Sequence, residues 1–412
     1  MNIFMPADIL LPREELLPKW PVIACDQFTS DPAYWNRVRE FTKAVPSAMH
    51  LILPEAELGS VDEQQKVASI HEAMDQYLDG DVLRLFPNSY IYVERTLHNG
   101  MVRPGLIGAV DLECYDFRHD STSLIRATEK TVLERIPPRQ RVSRGAALEL
   151  PHVMMLCDDE KMRLIEPIGA VKDSLPKLYE LDLVEGGGHI CGYLVNGAVA
   201  DAFNERLAAY AETLEEKYPD LDGAKVLLAV GDGNHSLATA KSCYEEMKQA
   251  NAGVDFSNHP ARSALEELDN IHDPSQRFEP IHRVVMQTDA KKLLSDLKSI
   301  SRPGGYPVTW IMGQEQGVLE LDRNLGELDV AVLQNFLDEW LKTNAGVTDY
   351  IHGEEEVAEL AVQANTLGLL LQPMAKSQLF RGVIAGGILP RKTFSMGHAR
   401  EKRYYLEGRK IK

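Results

Sequence analysis

The sequence predicts an α/β or α+β fold with a mixed central sheet, surrounding helices and a C-terminal αβ segment. The apolar runs 226–230 and 367–371 are short and bounded by turn residues, which is typical of buried strands. Apolar residues recur at helical spacing over 61–80 and 200–218, which predicts amphipathic helices. Because both patterns alternate along the chain, we expect helices to pack against the faces of a sheet.

In the first part of the chain, predicted strands and helices alternate with short turns. Residues 21–25 form a predicted strand, and Asp31 with Pro32 marks the start of a helix. Asp26 directly follows that strand, where α/β folds place functional side chains, and a plain turn residue is the alternative. The further elements predicted before residue 160 are a helix at 61–80, strands at 89–97 and 102–112 joined by a turn at Asn99-Gly100, and a strand at 150–157.

Further along the chain, two predictions concern turns and helix starts. Residues 189–195 form a predicted strand that reverses in a hairpin at Asn196-Gly197. Residues 259–268 are predicted as a helix, with Pro260 near its start. The other elements predicted after residue 195 are strands at 278–286, 307–312, 317–321 and 367–371 and helices at 200–218, 290–300, 330–342 and 353–365.

A Pro-Gly-Gly-Tyr break at 303–306 marks the predicted domain boundary. It separates a main α/β domain, 1–302, from a C-terminal αβ segment, 303–412. The segment ends in a basic stretch at 389–403, whose charges begin with Arg391 and Lys392 and are interrupted by Thr393, Phe394, Ser395 and Gly397. We expect that stretch to form a structured loop, although basic chain ends are more often solvated tails.

The composition limits the class of partner. Of the 412 residues, 44% are hydrophobic and 26% are charged, which is ordinary for a folded protein. The formal net charge is −18. This charge argues against duplex nucleic acid or an anionic membrane as the main partner, because both require a positive surface. A phosphorylated small molecule is still compatible, since it needs only a local basic pocket.

The sequence also predicts a location. The N-terminal residues lack the basic and apolar segments of a secretory signal, and no apolar run approaches membrane-spanning length. The cysteines show neither zinc-binding nor disulfide spacing. We therefore expect a cytoplasmic protein with reduced thiols, which are Cys25, Cys114, Cys157, Cys191 and Cys243. The sequence leaves a monomer and a homodimer both open.

The turn 231–236, with the sequence Gly-Asp-Gly-Asn-His-Ser, carries the strongest functional signal. It connects the predicted strand 226–230 to a predicted helix over 237–247, which Asn234 or Ser236 can cap. Backbone N–H groups and the helix dipole make such a turn a natural anion site. The alternative is a plain turn whose glycines only supply positive φ angles. An imidazole among the turn's polar side chains favours the functional interpretation.

A basic cluster over 125–144 is the second functional signal. It holds six Lys and Arg side chains in a chain that is otherwise strongly acidic. Guanidinium groups such as those of Arg126 and Arg139 match the geometry of phosphate and carboxylate groups. An exposed helix with alternating charges is the alternative. We expect Pro137 and Pro138 to break such a helix and turn its Arg-rich end away.

Four motifs spread over nearly the whole chain suggest a known family. They lie at 126–139, 231–241, 281–283 and 390–394, and together they resemble the bacterial and archaeal family called domain of unknown function 1015. The family name carries no activity.

The turn has a second, more distant resemblance. It is similar to the phosphate-binding turn of the ParB/sulfiredoxin-like superfamily, which includes nucleotide-dependent free serine kinases and CTP-hydrolysing ParB proteins. Many turns of the first family carry His and Arg where this chain has Asn234 and Ser236. The missing Arg removes a bidentate phosphate contact, and Lys241 or Arg262 would have to supply the charge.

The second resemblance implies a small-molecule kinase that phosphorylates a hydroxyl, such as that of free serine. Its cofactors would be Mg²⁺ and ATP or ADP, with CTP as an alternative, and its partners the nucleotide and a small-molecule substrate. The implied catalytic residues are Asp232, His235 and Glu129, with Asp232 also the metal ligand. The implied nucleotide-binding residues are Gly231, Gly233, Asn234, Ser236, Lys241 and Arg262. The implied substrate-binding residues are Arg126, Thr128, Arg139, His282, Arg283, Lys392 and Thr393.

Two alternatives to the kinase remain. A nucleotide-binding regulator would use the same turn without small-molecule turnover. A metal-dependent hydrolase would use Asp232 and His235 as ligands, but the sequence offers no further His or Glu at zinc-binding spacing.

Overall fold

The computed structural model describes residues 3–221, 225–390 and 392–412, so Arg391 of the predicted basic loop lies outside the described residues. The chain forms two compact units. The first unit comprises Met1–Ala127, Thr131–Gln276 and Gly397–Lys412, and the second comprises Thr128–Lys130 and Arg277–Met396. The C-terminal residues therefore return to the first unit.

Strands and helices are numbered in chain order through both units. The strands of the first unit are β1 (Phe4–Met5), β2 (Ala7–Pro12), β3 (Val22–Ile23), β4 (Leu83–Thr96), β5 (Val102–Asp111), β6 (Tyr115–Asp116), β7 (Ile125–Arg126), β8 (Leu148–Glu149), β9 (Met154–Cys157), β10 (Lys177–Asp182), β11 (His189–Val195), β12 (Leu228–Asp232), β13 (Ser263–Asn270), β21 (Tyr404–Tyr405) and β22 (Gly408–Lys410). Its helices are α1 (Pro32–Thr42), α2 (Glu63–Asp79), α3 (Ile136–Ser143), α4 (Glu166–Gly169), α5 (Gly197–Lys217) and α6 (Asn234–Ala250).

The second unit continues the same numbering. Its strands are β14 (Phe278–Pro280), β15 (His282–Met286), β16 (Ser301–Met312), β17 (Glu315–Leu321), β18 (Val347–Ile351), β19 (Leu367–Leu370) and β20 (Phe394–Met396). Its helices are α7 (Ala290–Ser299), α8 (Asp329–Trp340), α9 (Glu354–Ala361) and α10 (Lys376–Gly386). Its larger sheet has the order β17-β16-β19-β15-β18, and β14 pairs with β20.

The main sheet of the first unit is mixed, as the sequence predicts. Its strand order is β6-β7-β12-β9-β13-β5-β4-β2-β22-β8, with β1 paired to β5 and the β10–β11 hairpin paired to β4. Strand β12 runs parallel to β7 and antiparallel to β9, and β9 runs parallel to β13. The predicted mixed α/β fold is therefore confirmed.

Apolar side chains cover both faces of this sheet. Consecutive residues of β4 point to opposite faces, and Ile91 joins an apolar cluster with Trp20. Its neighbour Tyr90 joins a second cluster with Phe203 and Leu237. Full burial of a leucine side chain contributes about 1.5–3 kcal/mol to the stability of a fold. The buried Leu237 therefore helps to fix α6 against the sheet.

Strand β13 replaces the helix predicted over 259–268, and that prediction was wrong. Pro260–Arg262 forms a short 3₁₀ turn, after which the chain enters β13 between β9 and β5. The sequence pattern suggested a helix whose polar face carries the acidic residues of this segment. In the structure Glu266, Glu267 and Asp269 are instead all buried in the strand. Pairing with two neighbouring strands overrides the local pattern.

Two further local predictions are corrected by helix starts. Asn196 precedes α5 and Gly197 is its first residue, so no hairpin forms there. Pro137 and Pro138 lie in the first turn of α3 and do not break it. A proline fits the first turn of a helix because its missing N–H group has no helical partner at that position.

The structure divides the chain at a different place from the predicted boundary. Residues 302 and 303 both lie inside β16, and the two units separate between Gln276 and Arg277. The Pro-Gly-Gly sequence forms part of an irregular stretch of β16, where its register with β17 shifts between Ser301 and Tyr306.

Among the described helices, none has both the length and the apolar run needed to cross a bilayer.

Candidate functional site

The turn 231–236 begins at the end of β12. The pairing of β12 with β9 shifts its register between Val230 and Asp232, so Gly231 lies in a β-bulge. Gly233 then takes the left-handed conformation, with φ +85°, and stands at the N-cap position of α6. No side chain caps the helix start, so the predicted capping by Asn234 or Ser236 was wrong. The helix itself begins three residues earlier than predicted.

Gly233 is required both by its backbone conformation and by its surroundings. A Cβ atom at this position would lie 2.9 Å from Val153 Cγ2 and 3.1 Å from Val153 Cα. Gly253 has a similar φ of +94°, but no atom lies within 4 Å of a Cβ there. Substitutions at the two glycines therefore distinguish the effect of conformational strain from that of steric overlap.

We expect Gly233→Ala to lower the free energy of unfolding by roughly 2–5 kcal/mol, since it adds overlap to the cost of a left-handed alanine. Gly253→Ala is the matched control, with an expected loss of roughly 1–2 kcal/mol from conformation alone. Urea denaturation of both variants measures the difference. Equal losses would show that the contact with Val153 does not constrain the turn.

Lys402 lies beside the turn. Its ammonium Nζ is 3.2 Å from Asp232 Oδ2, and its side chain is 8% exposed while that of Asp232 is 27% exposed. A buried cation next to a partly exposed carboxylate leaves one side of the pair open to solvent. The arrangement can take up an anion through Lys402 or a cation through Asp232.

Two buried arginines hold the backbone that carries Lys402. The Arg95 guanidinium donates to the carbonyl oxygens of Lys402 and Arg400, at 2.6 and 2.7 Å, and Arg103 donates to that of Glu401 at 3.0 Å. Burial is the main cause that lowers the pKa of Arg95, to about 9. Arg95 belongs to β4 and Arg103 to β5. Because these arginines bind the backbone carbonyl groups around Lys402, its position depends on both strands.

His152 connects the turn to the C-terminal residues. Its Nε2 atom is 2.7 Å from Ser236 Oγ, and its Nδ1 atom is 2.8 Å from Tyr405 Oη. The Cys25 backbone N–H donates to the same Tyr405 oxygen at 3.2 Å. His152 lies between β8 and β9, in a gap within the single strand predicted over 150–157.

Asp26 lies among these groups. Burial raises the pKa of its carboxyl, but His152, a hydrogen bond from Gln27, Lys402 and Arg139 together lower it below its ordinary value. Asp26 is therefore ionised at neutral pH. Its neighbour Cys25 behaves differently, because burial and the Asp26 charge raise the pKa of the thiol to about 12. The Cys25 thiol is thus unreactive at neutral pH.

Arg139, from the predicted basic cluster, lies in the same place as Ser236. It forms an ion pair with Glu55, and both line a cavity that also reaches Ser236 and His152. The pKa of Glu55 is raised, mainly by burial and against the effect of Arg139. The Glu55 backbone N–H also donates to the Cys25 carbonyl at 2.8 Å, which joins this pair to the Asp26 loop.

The cavity has a volume of about 470 Å³, which is within the usual range for small-molecule sites. Its polar lining residues include Glu55, Arg139, His152, Ser236 and Tyr405. Its remaining walls are mainly apolar and include Leu51, Leu53, Met74, Leu148 and Leu265. Helix α6 supplies Ser236 and Thr239 to the wall, so the first turn of this helix borders the cavity directly.

The other turn residues have defined contacts. His235 Nε2 accepts a hydrogen bond from the Val132 N–H at 3.1 Å, which attaches the turn to the segment before α3. Asn234 is buried. Lys241 pairs with Glu245 at 2.7 Å within α6, and Arg262 pairs with Asp111 at 2.7 Å. Both of these cations already have acidic partners. That Lys241 or Arg262 replaces a phosphate-binding Arg stays a prediction.

The basic cluster 125–144 is dispersed by ion pairs. Arg126 is buried, and its Nε donates to the Ser123 carbonyl at 3.0 Å. Burial lowers the pKa of its guanidinium. Arg141 pairs with Glu63 at 2.6 Å, and Arg144 pairs with Glu246 at 2.8 Å. Among the side chains that the structure describes, the cluster does not form one basic surface.

The remaining predicted site residues belong to the second unit. The Leu389 N–H donates to the Thr128 carbonyl at 2.9 Å, and Glu129 forms an isolated parallel bridge with Leu389. His282 is buried, and its Nδ1 accepts from the Leu371 N–H at 3.2 Å. These contacts tie the short segment 128–130 to the end of the second unit.

Arg283 organises the basic loop of that unit from within. Its guanidinium donates to the Lys392 carbonyl at 3.0 Å and to Gln334 Oε1 at 2.8 Å, and burial lowers its pKa to about 10. Lys392 has a left-handed backbone, with φ 57°, and Thr393 Oγ1 donates to the Pro390 carbonyl at 2.6 Å. Lys392 and Thr393 of the loop are therefore structured, as the sequence predicts.

Three-residue groups with metal-ligand geometry occur elsewhere in the described chain. They are Glu180 with His189 and Cys191, and Asp158 with Glu160 and His272. Neither includes Asp232 or His235, so within the described residues nothing completes the hydrolase-type site that the sequence left open.

The residues that converge on the turn are mainly ones the sequence did not single out. Lys402, His152, Tyr405 and Glu55 come from segments far apart in the chain, and no local pattern connects them. Asp26 and Arg139 had sequence signals, which were a position after a predicted strand and membership of a basic cluster, and Lys402 lies in the predicted basic stretch 389–403.

Comparison with known proteins gives a family but no assigned chemistry. The model of the family described as "Protein of unknown function (DUF1015)" matches residues 5–374. Among curated proteins, no sequence matches this chain.

Solved structures resemble the chain only distantly. SbnI with a C-terminal truncation, from Staphylococcus aureus, is 9% identical, covers 71% of this chain and 82% of its own, and has a TM-score of 0.37. A free serine kinase in complex with AMP is 10% identical, with coverages of 74% and 90% and a TM-score of 0.36. A conserved hypothetical protein from Pyrococcus furiosus is 11% identical, with coverages of 72% and 90% and a TM-score of 0.33. These scores are too low to transfer the role of any residue.

Proposed function

The chain belongs to the DUF1015 family, and we propose that it is a nucleotide-dependent phosphotransferase acting on a hydroxyl of a small molecule. One observation carries the proposal: the Lys402 ammonium and the Asp232 carboxylate meet 3.2 Å apart at the N-terminus of α6. Phosphoryl transfer depends on cations and oriented N–H groups around the phosphates and needs little covalent chemistry from the protein.

The phosphate groups would bind at the start of α6. The helix dipole favours negative charge there, and the bulge and the Gly233 turn leave the backbone without side chains at two positions. Lys402 adds a positive charge in a buried place. Dissolved salt screens a charge there less than it screens a lysine on the surface. In this proposal, Lys402 from the C-terminal segment takes the role that an Arg has in related turns.

Asp232 fits the requirements of Mg²⁺. This ion prefers oxygen ligands and usually takes only one or two protein carboxylates, completing its shell with phosphate oxygens and water. Asp232 offers a carboxylate that is still 27% exposed beside Lys402. When bound, the ion would neutralise charge on the transferred phosphoryl group.

Asp26 is the candidate that orients the acceptor hydroxyl. It is ionised at neutral pH and lies within the electrostatic reach of Lys402, His152 and Arg139. A carboxylate with a low pKa is a weak base, but it can accept a hydrogen bond from the hydroxyl and receive its proton late in the transfer. Glu129, which the sequence suggests for this role, belongs to the second unit and stays a prediction.

Phosphorylated product is the direct test. The purified protein would be incubated with Mg²⁺, with ATP, ADP or CTP, and with a panel of hydroxyl compounds that includes free serine. We expect one nucleotide to support product formation and EDTA to abolish it. Asp232→Asn should lower the rate by about 100-fold or more, as expected when a charge-stabilising group is lost. The exposed Asp173→Asn is the matched control and should retain full activity.

The outcomes separate the proposal from its alternative. No phosphorylated product with any nucleotide, from correctly folded protein, would contradict the phosphotransferase. Nucleotide binding without turnover, seen as a rise in unfolding temperature, would support a regulatory protein instead. Full activity of Asp232→Asn would remove Asp232 from the site.

A further inference from the structure

Ser236 and His152 form a nucleophile–base pair that the proposed function does not use. The Ser236 hydroxyl lies 2.7 Å from Nε2 of His152, and the opposite ring nitrogen is held 2.8 Å from Tyr405 Oη. A hydroxyl, an imidazole and a group that orients the imidazole are the parts of an activated serine. Since Ser236 stands where related turns carry Arg, the change exchanges a phosphate contact for a hydroxyl.

The hydrogen bonds around Tyr405 indicate how the imidazole is oriented. The Tyr405 oxygen already accepts from the Cys25 N–H at 3.2 Å, and it has a second lone pair for a ring N–H. We assign the ring proton of His152 to Nδ1, donating to Tyr405. With this tautomer, Nε2 is left as an acceptor for the Ser236 proton.

The base is held in place and its orienting group is protonated. His152 is 9% exposed and Tyr405 is 2% exposed, and Tyr405 belongs to β21, which pairs with β3. Burial is the main cause that raises the pKa of Tyr405 well above its ordinary value. The phenol therefore keeps its proton, and Ser236 is the hydroxyl that gives its proton to His152.

Ser236 also has room for a substituent. Its residue is only partly buried, and it borders the cavity of about 470 Å³. It lies in the first turn of α6, four residues after Asp232, and a phosphate at that end of a helix is stabilised by the dipole.

We propose that Ser236 is itself a phosphoryl acceptor and that the protein forms phosphoserine at this position. The inference rests on the proposed function, which supplies a nucleoside triphosphate. A bond forms between Ser236 Oγ and the γ-phosphorus, and the bond from that phosphorus to the bridging oxygen breaks. The bridging oxygen keeps the electron pair and leaves with the nucleoside diphosphate. His152 Nε2 takes the serine proton.

Two neighbouring hydroxyls of α6 donate to backbone carbonyls and do not contact an imidazole in the described structure. Thr239 borders the same cavity, but its Oγ1 donates to the His235 carbonyl at 2.7 Å. Ser242, on the same helix, donates to the Ala238 carbonyl at 2.8 Å. Ser242→Ala is therefore a matched control for Ser236→Ala, because both remove one serine hydroxyl from α6.

The test is incubation with Mg²⁺ and ATP labelled in the γ-phosphoryl group, with no other acceptor present. We expect one phosphate per chain in the intact mass, located at Ser236 by peptide mapping. Ser236→Ala should take up no label and Ser242→Ala should be labelled like the parent protein. His152→Gln should slow labelling by about 100-fold or more, which is typical for loss of a general base. Unfolding temperatures show whether each variant is folded.

The results for Ser236 and for small acceptors can be told apart. Transfer to a small molecule without label on Ser236, or label on another residue, would overturn this inference and leave the proposed function intact. Label on Ser236 without any small-molecule product would support the inference and contradict the proposed acceptor. Neither reaction with any nucleotide triphosphate would overturn both.

Discussion

Replacing Lys402 with methionine is expected to lower kcat/KM for phosphoryl transfer by about 100-fold or more. The ammonium lies 3.2 Å from the Asp232 carboxylate at the turn. Removal of a charge that neutralises a transferring phosphoryl group has effects of this size or larger. Methionine keeps most of the length of the side chain, so packing around the stem is preserved. Asp232 is itself partly exposed.

The measurement is steady-state kinetics with the nucleotide and acceptor that the parent protein uses. Lys410→Met is the matched control, since Lys410 is an exposed lysine in the same C-terminal segment. It should retain the parent rate. A Lys402→Met protein with unchanged kcat/KM and unchanged unfolding temperature would place the phosphate site elsewhere.

The largest effect on stability is expected for Arg403→Met. Its guanidinium pairs with Glu267 and Glu407, and all three side chains are buried. Removing the cation leaves two carboxylates in the interior without their charge partner. Breaking a buried pair in this way costs about 3–5 kcal/mol, so the variant should unfold at a much lower temperature.

The loss should depend on pH in a defined direction. Burial alone raises the pKa of Glu267, but Arg403, Arg103 and Arg95 bring it below its ordinary value of 4.5. In the parent protein, Glu267 therefore contributes stability above that pH and loses the contribution as the pH falls. Without Arg403, burial prevails and the folded state of the variant binds the proton more readily. Acidification toward 4.5 should then narrow the difference between the two proteins.

Thermal unfolding at about pH 8 and about pH 5 checks both statements. Arg144→Met is the control, because the Arg144–Glu246 pair is largely exposed and should matter little. A difference in unfolding temperature that widens at the lower pH would contradict the buried-pair explanation.

The sequence by itself determined the local geometry of the site. The apolar run 226–230 and the helical spacing that follows it define β12 and α6, because these patterns depend on neighbours a few residues apart. Gly233 was identified with its turn because a left-handed residue at a strand–helix junction favours glycine. The mixed sheet also followed from the alternation of strand and helix patterns.

Only the tertiary structure decided what surrounds the turn. Lys402 and Tyr405 arrive from the C-terminus because Arg95 and Arg103 bind its backbone, and His152 arrives from a gap between two strands. Such convergence depends on contacts between residues hundreds of positions apart, which no periodic pattern encodes.

The same reason explains the failure at β13. Its three carboxylates are polar in the sequence but buried in the fold, where Arg403 pairs with one of them, Glu267. Sequence therefore determined where a phosphate-binding turn can form. The folded chain decided which cation, base and hydroxyl meet there, since those contacts are set by long-range pairing and burial.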